Sequence, residues 1–219
     1  RQRSVKDVIE DLIEIKKIYK PKKFRFEDDV FAFNQKWLEE FKVAYRDNIN
    51  LPFHCYVTPS TAKDEILKGL KDAGCESVSM GIQSGNEKIR TKMLHRRHTD
   101  ELIIAAAQRI RKHGLKLQAE YIFGFPTETR EIMEESANYM RSVESDWFQI
   151  FTAIPFIGTA LHEQLLERGI LKKRFDERLW ERSRYGEREF DTDTITAKEL
   201  THYTYALNLE LNFINNHNL

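Results

Sequence analysis

The chain of 219 residues carries 35 lysines and arginines against 35 aspartates and glutamates, and this zero net charge excludes a strongly basic nucleic-acid surface and an acidic tail. Hydrophobic residues make up 41% of the sequence without a membrane-spanning apolar run or a signal-like amino terminus, a composition typical of a soluble protein. The two separated cysteines, Cys55 and Cys75, argue against a secreted disulfide scaffold and for a reducing compartment, which we expect to be the cytoplasm.

Apolar residues in the first half of the chain switch between helical and strand spacing. Ser4 can cap a helix that ends at Pro21, and Phe24-Arg25-Phe26 then predicts a short strand. The further elements predicted in this half are a helix from Asn34, a strand over 51–58, a helix capped at Ser60 or Thr61 that ends at Gly74, a strand over 77–83 and a short helix from about Asn86.

The second half continues the same alternation. Its predicted elements are a helix from Thr99 to Gly114, a strand over 115–123, a helix capped by Thr129, a strand over 147–154, a helix from Thr159 to near Gly169 and a last amphipathic helix from Thr196 through Ile214. Gly124 and Pro126 mark the turn after the fourth strand, on the side where barrels bind ligands. From Lys172 to Asp193 the chain is highly charged, which predicts an irregular surface connection.

Strands that alternate with helices indicate a parallel sheet, either an open barrel or a doubly wound sheet. The chain begins with a helix that no strand precedes. Since a bare parallel edge strand is a liability, we expect a preceding strand to be missing and the fold to be a truncated barrel.

Five short motifs carry a resemblance to a known family: Phe26-Glu27-Asp28-Asp29-Val30-Phe31, Gly81-Ile82-Gln83-Ser84-Gly85-Asn86-Glu87, Leu94-His95-Arg96-Arg97-His98-Thr99, Gly124-Phe125-Pro126-Thr127-Glu128-Thr129 and Ile154-Pro155-Phe156-Ile157-Gly158-Thr159. Over roughly residues 1–170, their order and spacing resemble the later strands of the radical S-adenosylmethionine (SAM) superfamily, particularly the branch joined to an upstream cobalamin-binding domain. The resemblance implies a partial, open TIM-type (β/α)6 barrel without its first strand. Residues 1–171 would form the barrel, and 172–219 a charged linker and C-terminal helix.

The resemblance also implies cofactors and partners. A [4Fe–4S] cluster held by a CxxxCxxC loop after the first strand would cleave SAM reductively to a deoxyadenosyl radical, with an external electron donor and, in the cobalamin-associated branch, cobalamin on an upstream domain of the same protein. This chain has no CxxxCxxC, and Cys55 and Cys75 are too far apart in sequence to replace it. We interpret both as small core residues, and expect the chain alone to be inactive.

The resemblance assigns eight residues to SAM: Glu27, Asp28, Asp29, Gln83, Ser84, Arg96, Glu120 and Pro155. Amides and carboxylates can bind ribose hydroxyls and an ammonium group, and an arginine can clamp a carboxylate. Each assignment has a plainer alternative. Gln83 and Ser84 can form a polar turn, Arg96 can belong to a solvated charge run, and Glu120 can pair with Arg25 or Arg96.

Two of the assignments depart from the family pattern. The acidic triplet Glu27-Asp28-Asp29 stands where many relatives carry Gly-Gly-Glu for the methionine amine, and it can alternatively cap a helix. His95 replaces the asparagine that usually precedes the family's arginine. Pro155 would lie near the adenine, although an apolar strand end is expected there anyway. The histidines show no ligand pairing, so we predict no metal site from them.

Three functional classes fit the sequence. The first is a fragment of a radical SAM enzyme that modifies or methylates an unknown substrate. The second is another barrel enzyme for a phosphorylated metabolite, against which the lack of a Gly-rich phosphate loop counts. The third is a non-catalytic interaction module. The gene sequence upstream of Arg1 discriminates, because a strand followed by CxxxCxxC supports the first class and its absence favours the third.

Overall fold

A computed structural model describes residues 2–171 and 190–214 of the chain. Five parallel strands form one sheet, an open half-barrel in which the strands follow one another in chain order. The strands are β1 (Phe24–Arg25), β2 (Phe53–Val57), β3 (Cys75–Gln83), β4 (Lys116–Phe123) and β5 (Trp147–Thr152). The predicted α/β architecture and the predicted strand positions are therefore confirmed.

The helices of the described residues lie before, between and after the strands. They are α1 (Val5–Tyr19), α2 (Gln35–Asn48), α3 (Asp64–Ala73), α4 (Asp100–Lys112), α5 (Arg130–Ser142), α6 (Ala160–Glu167) and α7 (Ala197–Leu209), with π-helices π1 (Ile89–Met93) and π2 (Glu210–Ile214). Predicted caps whose side chains accept a hydrogen bond from the first turn of the helix are Ser4, Asn34, Thr99, Thr129, Thr159 and Thr196. These side chains satisfy amides that a helix start leaves unpaired.

One predicted helix start was wrong. Helix α3 begins after Lys63 rather than at Ser60 or Thr61, because Thr58 and Thr61 bind each other: the Thr58 amide donates to Thr61 Oγ1 at 2.9 Å and the Thr61 amide to Thr58 Oγ1 at 3.2 Å. Such local turns compete with helix formation. The short helix expected from about Asn86 is confirmed: residues 87 and 88 are α-helical and run directly into π1, and Asn86 Oδ1 accepts from the Ile89 amide at 3.0 Å.

The described residues fall into two compact units. Unit 1 comprises residues 1–82, 98–119 and 144–146, and unit 2 comprises 83–97, 120–143 and 147–219 without the undescribed segments. In unit 1, helices α1 to α4 pack successively against one another. Its core contains an aromatic cluster in which rings contact one another edge to face or tilted: Phe26, Phe31, Phe41, Tyr45 and Phe53.

Strand register in unit 1 separates an apolar face from a polar one. Arg25 pairs with His54, His54 with Ser77, and Tyr56 with Ser79. Because side chains alternate along a strand, these residues share one face of the sheet. The intervening residues Phe53, Cys55 and Val57 are buried on the other face.

In unit 2, helix α7 packs against β5. Beyond α7, the side chain of Asn212 takes the place of a neighbouring strand: its Oδ1 accepts from the Phe148 amide and its Nδ2 donates to the Phe148 carbonyl, both at 2.8 Å. The rings of Trp147 and Phe213 meet edge to face beside it. This contact covers part of the exposed edge of β5, where unpaired backbone groups would otherwise invite association.

Within residues 2–171 and 190–214, none of the helices combines the length and the hydrophobicity that a membrane span requires. Most of the charged segment that begins at Lys172 lies outside the described residues. The division of the chain at residue 171 therefore stays a prediction.

Candidate functional site

The turn after β3 in unit 2 holds Gln83 and Ser84. Gln83 ends the strand with φ of 76°, a left-handed conformation that residues other than glycine seldom adopt. Its side chain is half-buried, whereas Ser84 is buried. Ser84 Oγ accepts from the Asn86 amide at 3.2 Å and lies 3.4 Å from Ser136 Oγ. The Ser84 hydroxyl is thus engaged within the turn itself.

Gly85 brings this turn into direct contact with helix α5. A Cβ atom at Gly85 would lie 2.5 Å from Cα and 2.7 Å from the carbonyl oxygen of Ser136. The side chain of Asn86, the next residue of the turn, makes two hydrogen bonds: its Nδ2 donates to Glu135 at 2.8 Å and its Oδ1 accepts from the Ile89 amide at 3.0 Å. Close backbone packing and two side-chain bonds therefore fix the segment that follows Gln83.

Arg90, in π1, is a fully buried charged side chain that sequence reasoning missed. Its Nη1 donates to the Ser84 carbonyl at 2.8 Å, and its guanidinium lies 5.4 Å from the centre of the Tyr139 ring. The Arg90 carbonyl accepts from the Arg96 amide at 2.8 Å. Arg90 therefore contacts the residue next to Gln83 through its side chain and Arg96 through its backbone.

Glu128 is the second buried charge that sequence reasoning missed, and it shapes the turn after β4. Its Oε2 accepts from the amides of Gly124 and Phe125 at 2.5 and 3.3 Å, and Gly124 has φ of 87°. The Glu128 carbonyl accepts from Thr194 Oγ1 at 2.8 Å, which attaches the segment before α7 to the same turn. A glutamate four residues after the strand-ending glycine was the signal that could have revealed this role.

A small apolar cluster joins the segments that follow three successive strands. Ile89 after β3, Phe125 after β4 and Ala153 after β5 are buried together. The Ala153 amide also donates to the Phe123 carbonyl at 2.8 Å. All of these residues belong to unit 2, so the carboxyl ends of β3, β4 and β5 converge there.

The other predicted site residues of unit 2 are Glu120, Arg96 and Pro155. Glu120 is half-buried within β4, and Arg96 is half-buried three residues beyond π1. Pro155 is buried three residues after β5, where the Phe156 amide donates to the Ile154 carbonyl at 3.1 Å in a tight turn.

The acidic triplet lies in unit 1 and is exposed at all three positions. Glu27 accepts from Arg25 Nε, and Arg25 Nη2 also donates to the Tyr56 hydroxyl. Asp28 lines a surface cavity of about 420 Å³ between α1 and the start of α2. Asp29 begins a bend rather than a helix.

The polar face of unit 1 carries a hydrogen-bonded network centred on His54. Its Nδ1 lies 2.8 Å from Ser77 Oγ and its Nε2 lies 3.1 Å from Ser79 Oγ, which also accepts from Gln118 Nε2 at 3.1 Å. Burial, followed by the positive charge of Arg25, lowers the pKa of His54 to about 4. The imidazole is therefore neutral at pH 7, and its two nitrogens face the two serine hydroxyls.

The family model of the radical SAM superfamily matches residues 1–140 of this chain. The chain belongs to the radical SAM superfamily. Strand order, parallel pairing and the converging strand ends described above agree with that membership.

Known relatives and a solved structure extend the comparison. An uncharacterized methyltransferase of Pyrococcus horikoshii is 28% identical over 78% of this chain and 37% of its own length. The bacteriochlorophyllide d C-12(1)-methyltransferase of Chlorobaculum tepidum is 27% identical over 67% of this chain and 32% of its own length. The radical SAM methyltransferase TsrM of Kitasatospora setae, solved with cobalamin and a [4Fe–4S] cluster, has a similar fold, with a TM-score of 0.65 and 20% identity over 76% of this chain and 32% of that one. The chain thus spans about a third of the length of these radical SAM proteins.

The thiols of this radical SAM chain do not fit an iron–sulfur cluster. Cys55 and Cys75 are both buried, with their sulfur atoms 3.9 Å apart, and Cys75 Sγ donates to the Ser77 carbonyl at 3.2 Å. Burial, followed by the hydrogen bond between the Cys55 and Cys75 sulfur atoms, raises the pKa of the Cys55 thiol well above its usual value. Cluster ligands are thiolates that converge on iron, so the interpretation of both cysteines as core residues is confirmed.

The donors of unit 2, in contrast, fit the chemistry of SAM. Three of these residues are half-buried: Gln83 ends β3, Glu120 lies near the end of β4, and Arg96 follows π1. Their donor and acceptor groups are the Gln83 amide, the Glu120 carboxylate and the Arg96 guanidinium. They offer acceptors for hydroxyl and ammonium groups and a charged donor for a carboxylate.

Proposed function

We propose that this chain provides SAM-binding elements of a radical SAM methyltransferase. The observation that carries the proposal is the convergence in unit 2, where Ile89, Phe125 and Ala153 join the ends of three parallel strands. In α/β barrels, ligands bind at the carboxyl ends of the strands. Relatives named as methyltransferases favour methyl transfer over other radical reactions.

The proposed roles are those that the family resemblance implies, and the chemistry of the polar side chains supports them. Gln83 and Glu120 bind ribose hydroxyls or the methionine amine, Arg96 binds the methionine carboxylate, and Pro155 contacts the adenine. Ser84 supports the turn that holds Gln83, because its hydroxyl already binds the Asn86 amide and its carbonyl the Arg90 side chain. The exposed triplet Glu27-Asp28-Asp29 belongs to unit 1, and its role toward the methionine amine stays a prediction from the family resemblance.

SAM bound at a reduced [4Fe–4S] cluster supplies a deoxyadenosyl radical, and the protein's own contribution is to bind, orient and shield it. Because the two thiols here do not fit a cluster, the proposal requires cluster ligands outside these 219 residues and an external electron donor. TsrM was solved with cobalamin bound, and we extend the use of cobalamin, on a separate domain, to this protein.

We propose no specific substrate beyond its chemical class, a molecule that is methylated at an unactivated carbon. From the sequence alone we predict that the charged segment 172–193, most of which lies outside the described residues, contacts this substrate or covers the open side of the barrel. A short linker in its place should alter turnover far more than folding. The reducing chemistry and the reduced thiols agree with a cytoplasmic enzyme.

The test uses the full-length protein, prepared anaerobically with iron and sulfide. We expect SAM and a reductant to yield 5′-deoxyadenosine or a methylated product, and calorimetry to detect SAM binding. Gln83→Ala and Glu120→Gln should each weaken SAM binding about tenfold, as loss of one good hydrogen bond or charge contact predicts. The matched controls, Gln108→Ala and Glu76→Gln, change exposed residues on α4 and β3 and should bind SAM normally. Absence of SAM binding by the unaltered protein would contradict the proposal.

A further inference from the structure

We infer that Arg90 is a positioning residue that sets the geometry of both Gln83 and Arg96 for SAM. The inference rests on the proposed function, because these two residues are its proposed contacts for the ribose or amine and for the carboxylate. Arg90 itself is fully buried, so it acts through its neighbours rather than on the cofactor.

The first link runs from the Arg90 guanidinium to the turn after β3. Nη1 donates to the Ser84 carbonyl at 2.8 Å, one peptide beyond Gln83, while the guanidinium lies over the Tyr139 ring of α5. The backbone of Gln83 has a left-handed φ of 76°. This conformation is strained for a residue that carries a Cβ atom, so contacts with the surrounding structure must stabilise it. The bond to Ser84 and the tight contact of Gly85 with Ser136 supply that constraint.

The second link runs from the Arg90 backbone to Arg96. The Arg90 carbonyl accepts from the Arg96 amide at 2.8 Å, and the Leu94 amide donates to the Ile89 carbonyl at 3.0 Å. The chain between π1 and α4 is therefore folded back onto Arg90. π-helices are rare and occur frequently at functional sites. In π1, Arg90 makes both the side-chain bond to Ser84 and the backbone bond to Arg96.

Only arginine meets the demands of this position. Its planar fork can donate to a carbonyl while its face stacks on an aromatic ring. Methionine has similar length and would fill the space, but it would leave the buried Ser84 carbonyl without this donor. Lysine could restore one donor without the planar stack, so it should act as a partial substitute.

The experiment measures SAM affinity by calorimetry and stability by urea unfolding, both in the full-length protein. Arg90→Met should raise the SAM dissociation constant about tenfold, and Arg90→Lys should raise it less. The control is Arg109→Met. Arg109 Nε also donates to a backbone carbonyl, that of Ala62 at 2.8 Å, but in unit 1. Arg109→Met should lower the urea midpoint and leave SAM affinity unchanged.

Two further readouts separate positioning from a general loss of stability. If Arg90 acts through Gln83, the affinity losses of Arg90→Met and Gln83→Ala should not add in the double variant. Hydrogen exchange should accelerate in a peptide covering residues 83–96 for Arg90→Met, and around Ala62 for Arg109→Met. Full additivity, or unchanged exchange over 83–96, would overturn the inference.

The outcomes also distinguish this inference from the proposed function. If the unaltered protein binds no SAM, the proposed function is wrong, and the exchange experiment still reports whether Arg90 orders residues 83–96. If the protein binds SAM and Arg90→Met binds it equally well, only the inference is wrong. Should Arg90→Met fail to fold, Arg90→Lys and Tyr139→Leu carry the test, because each weakens only part of the guanidinium's contacts; unchanged affinity and unchanged exchange in both would refute it.

Discussion

The two units of this radical SAM chain use buried polar side chains in different ways. In unit 1, His54, Ser77, Ser79 and Gln118 bind one another on one face of the sheet. In unit 2, Arg90, Glu128 and Asn212 each bind backbone groups in strands or in the turns that follow them. The four side chains of unit 1 therefore form a polar face of the sheet, whereas the three of unit 2 fix the course of the backbone.

This difference shows where precision is needed. A network of neutral side chains can exchange partners with little change to the backbone. A turn held by a buried charge cannot move without leaving that charge or its partners unsatisfied, which is costly in a protein interior. The proposed SAM contacts Gln83 and Arg96 both lie beside such a held segment. If the comparison is right, damage to the turns of unit 2 should be severe and damage to the network of unit 1 should depend on pH.

The largest effect should come from a methyl group at Gly85. In Gly85→Ala the new Cβ would lie 2.5 Å from the backbone of Ser136, which cannot move aside without displacing α5. We expect the free energy of unfolding to fall by about 3 kcal/mol or more. Gly69→Ala in unit 1 is the control, because its Cβ meets the flexible end of Leu38 at 2.8 Å and alanine favours the helix. Urea unfolding compares the two, and equal losses would contradict the rigidity assigned to unit 2.

The network of unit 1 should fail on acidification. The pKa of His54 is about 4 in the folded protein and near 6.5 in an unfolded chain. Above pH 6.5 the imidazole is neutral in both states and contributes no pH dependence. Between pH 6.5 and 4 only the unfolded chain gains the proton, so the free energy of unfolding decreases as the pH falls, by up to about 3 kcal/mol in total.

His54→Gln should remove this slope, because glutamine does not titrate and can still bond to the serines. Urea unfolding at several pH values measures the slope, and an NMR titration of the imidazole measures the pKa directly. If His54 titrates near pH 6.5 in the folded protein, or if His54→Gln leaves the slope unchanged, burial in the network does not lower the pKa of His54 and the prediction is wrong.

The features that could be predicted from the sequence differ from those that could not in the range of the interactions that determine them. Strand order and most helix starts were predictable, because hydrophobic spacing and capping residues act locally, as at Ser4 and Thr129. The burial of Arg90 and Glu128 was not, since charged residues are usually exposed and only packing against α5 and the turn after β4 encloses them. Ser84 was predicted beside SAM because it matches a family position at the end of the third strand, but its neighbours Gly85 and Ser136 decide that it is buried. Local signals thus predicted the scaffold, and tertiary contacts set the details of the candidate site.

A smaller effect is expected where a buried charge is neutralised. In Glu128→Gln the amide oxygen can still accept from Gly124 and Phe125, but hydrogen bonds to a neutral acceptor are weaker than those to a carboxylate. We expect a loss of about 2 kcal/mol in the free energy of unfolding. Glu87→Gln, at an exposed position of the same unit, should change it by less than about 0.5 kcal/mol. Equal behaviour of the two variants would mean that the charge of Glu128 does not hold the turn.

The smallest effect concerns the edge of β5, where Asn212 imitates a peptide group. Asn212→Ala removes both bonds to Phe148 and should lower the free energy of unfolding by about 1 kcal/mol. Asn212→Asp changes fewer atoms but should be more harmful at pH 7, because a carboxylate can accept from the Phe148 amide yet repels the Phe148 carbonyl. Burial and the facing carbonyl should raise the pKa of this aspartate in the folded protein. The variant should therefore regain stability relative to Asn212→Ala as the pH falls through that raised pKa, and the gain should be nearly complete at about pH 4, where the protonated aspartate can donate again.

The control for this edge is an asparagine of unit 1 that serves only its own helix. Asn48 is exposed, and its Nδ2 donates to the Ala44 carbonyl at 2.8 Å near the end of α2. Asn48→Asp should therefore cost less than about 0.5 kcal/mol at pH 7, because water can replace the lost donor. Urea unfolding of the three variants and the unaltered protein at pH 7 and pH 4 measures these differences. If Asn212→Asp is no worse than Asn212→Ala at pH 7, the amide of Asn212 does not substitute for a neighbouring strand, and the protection of β5 must come from the apolar contact of Trp147 with Phe213 instead.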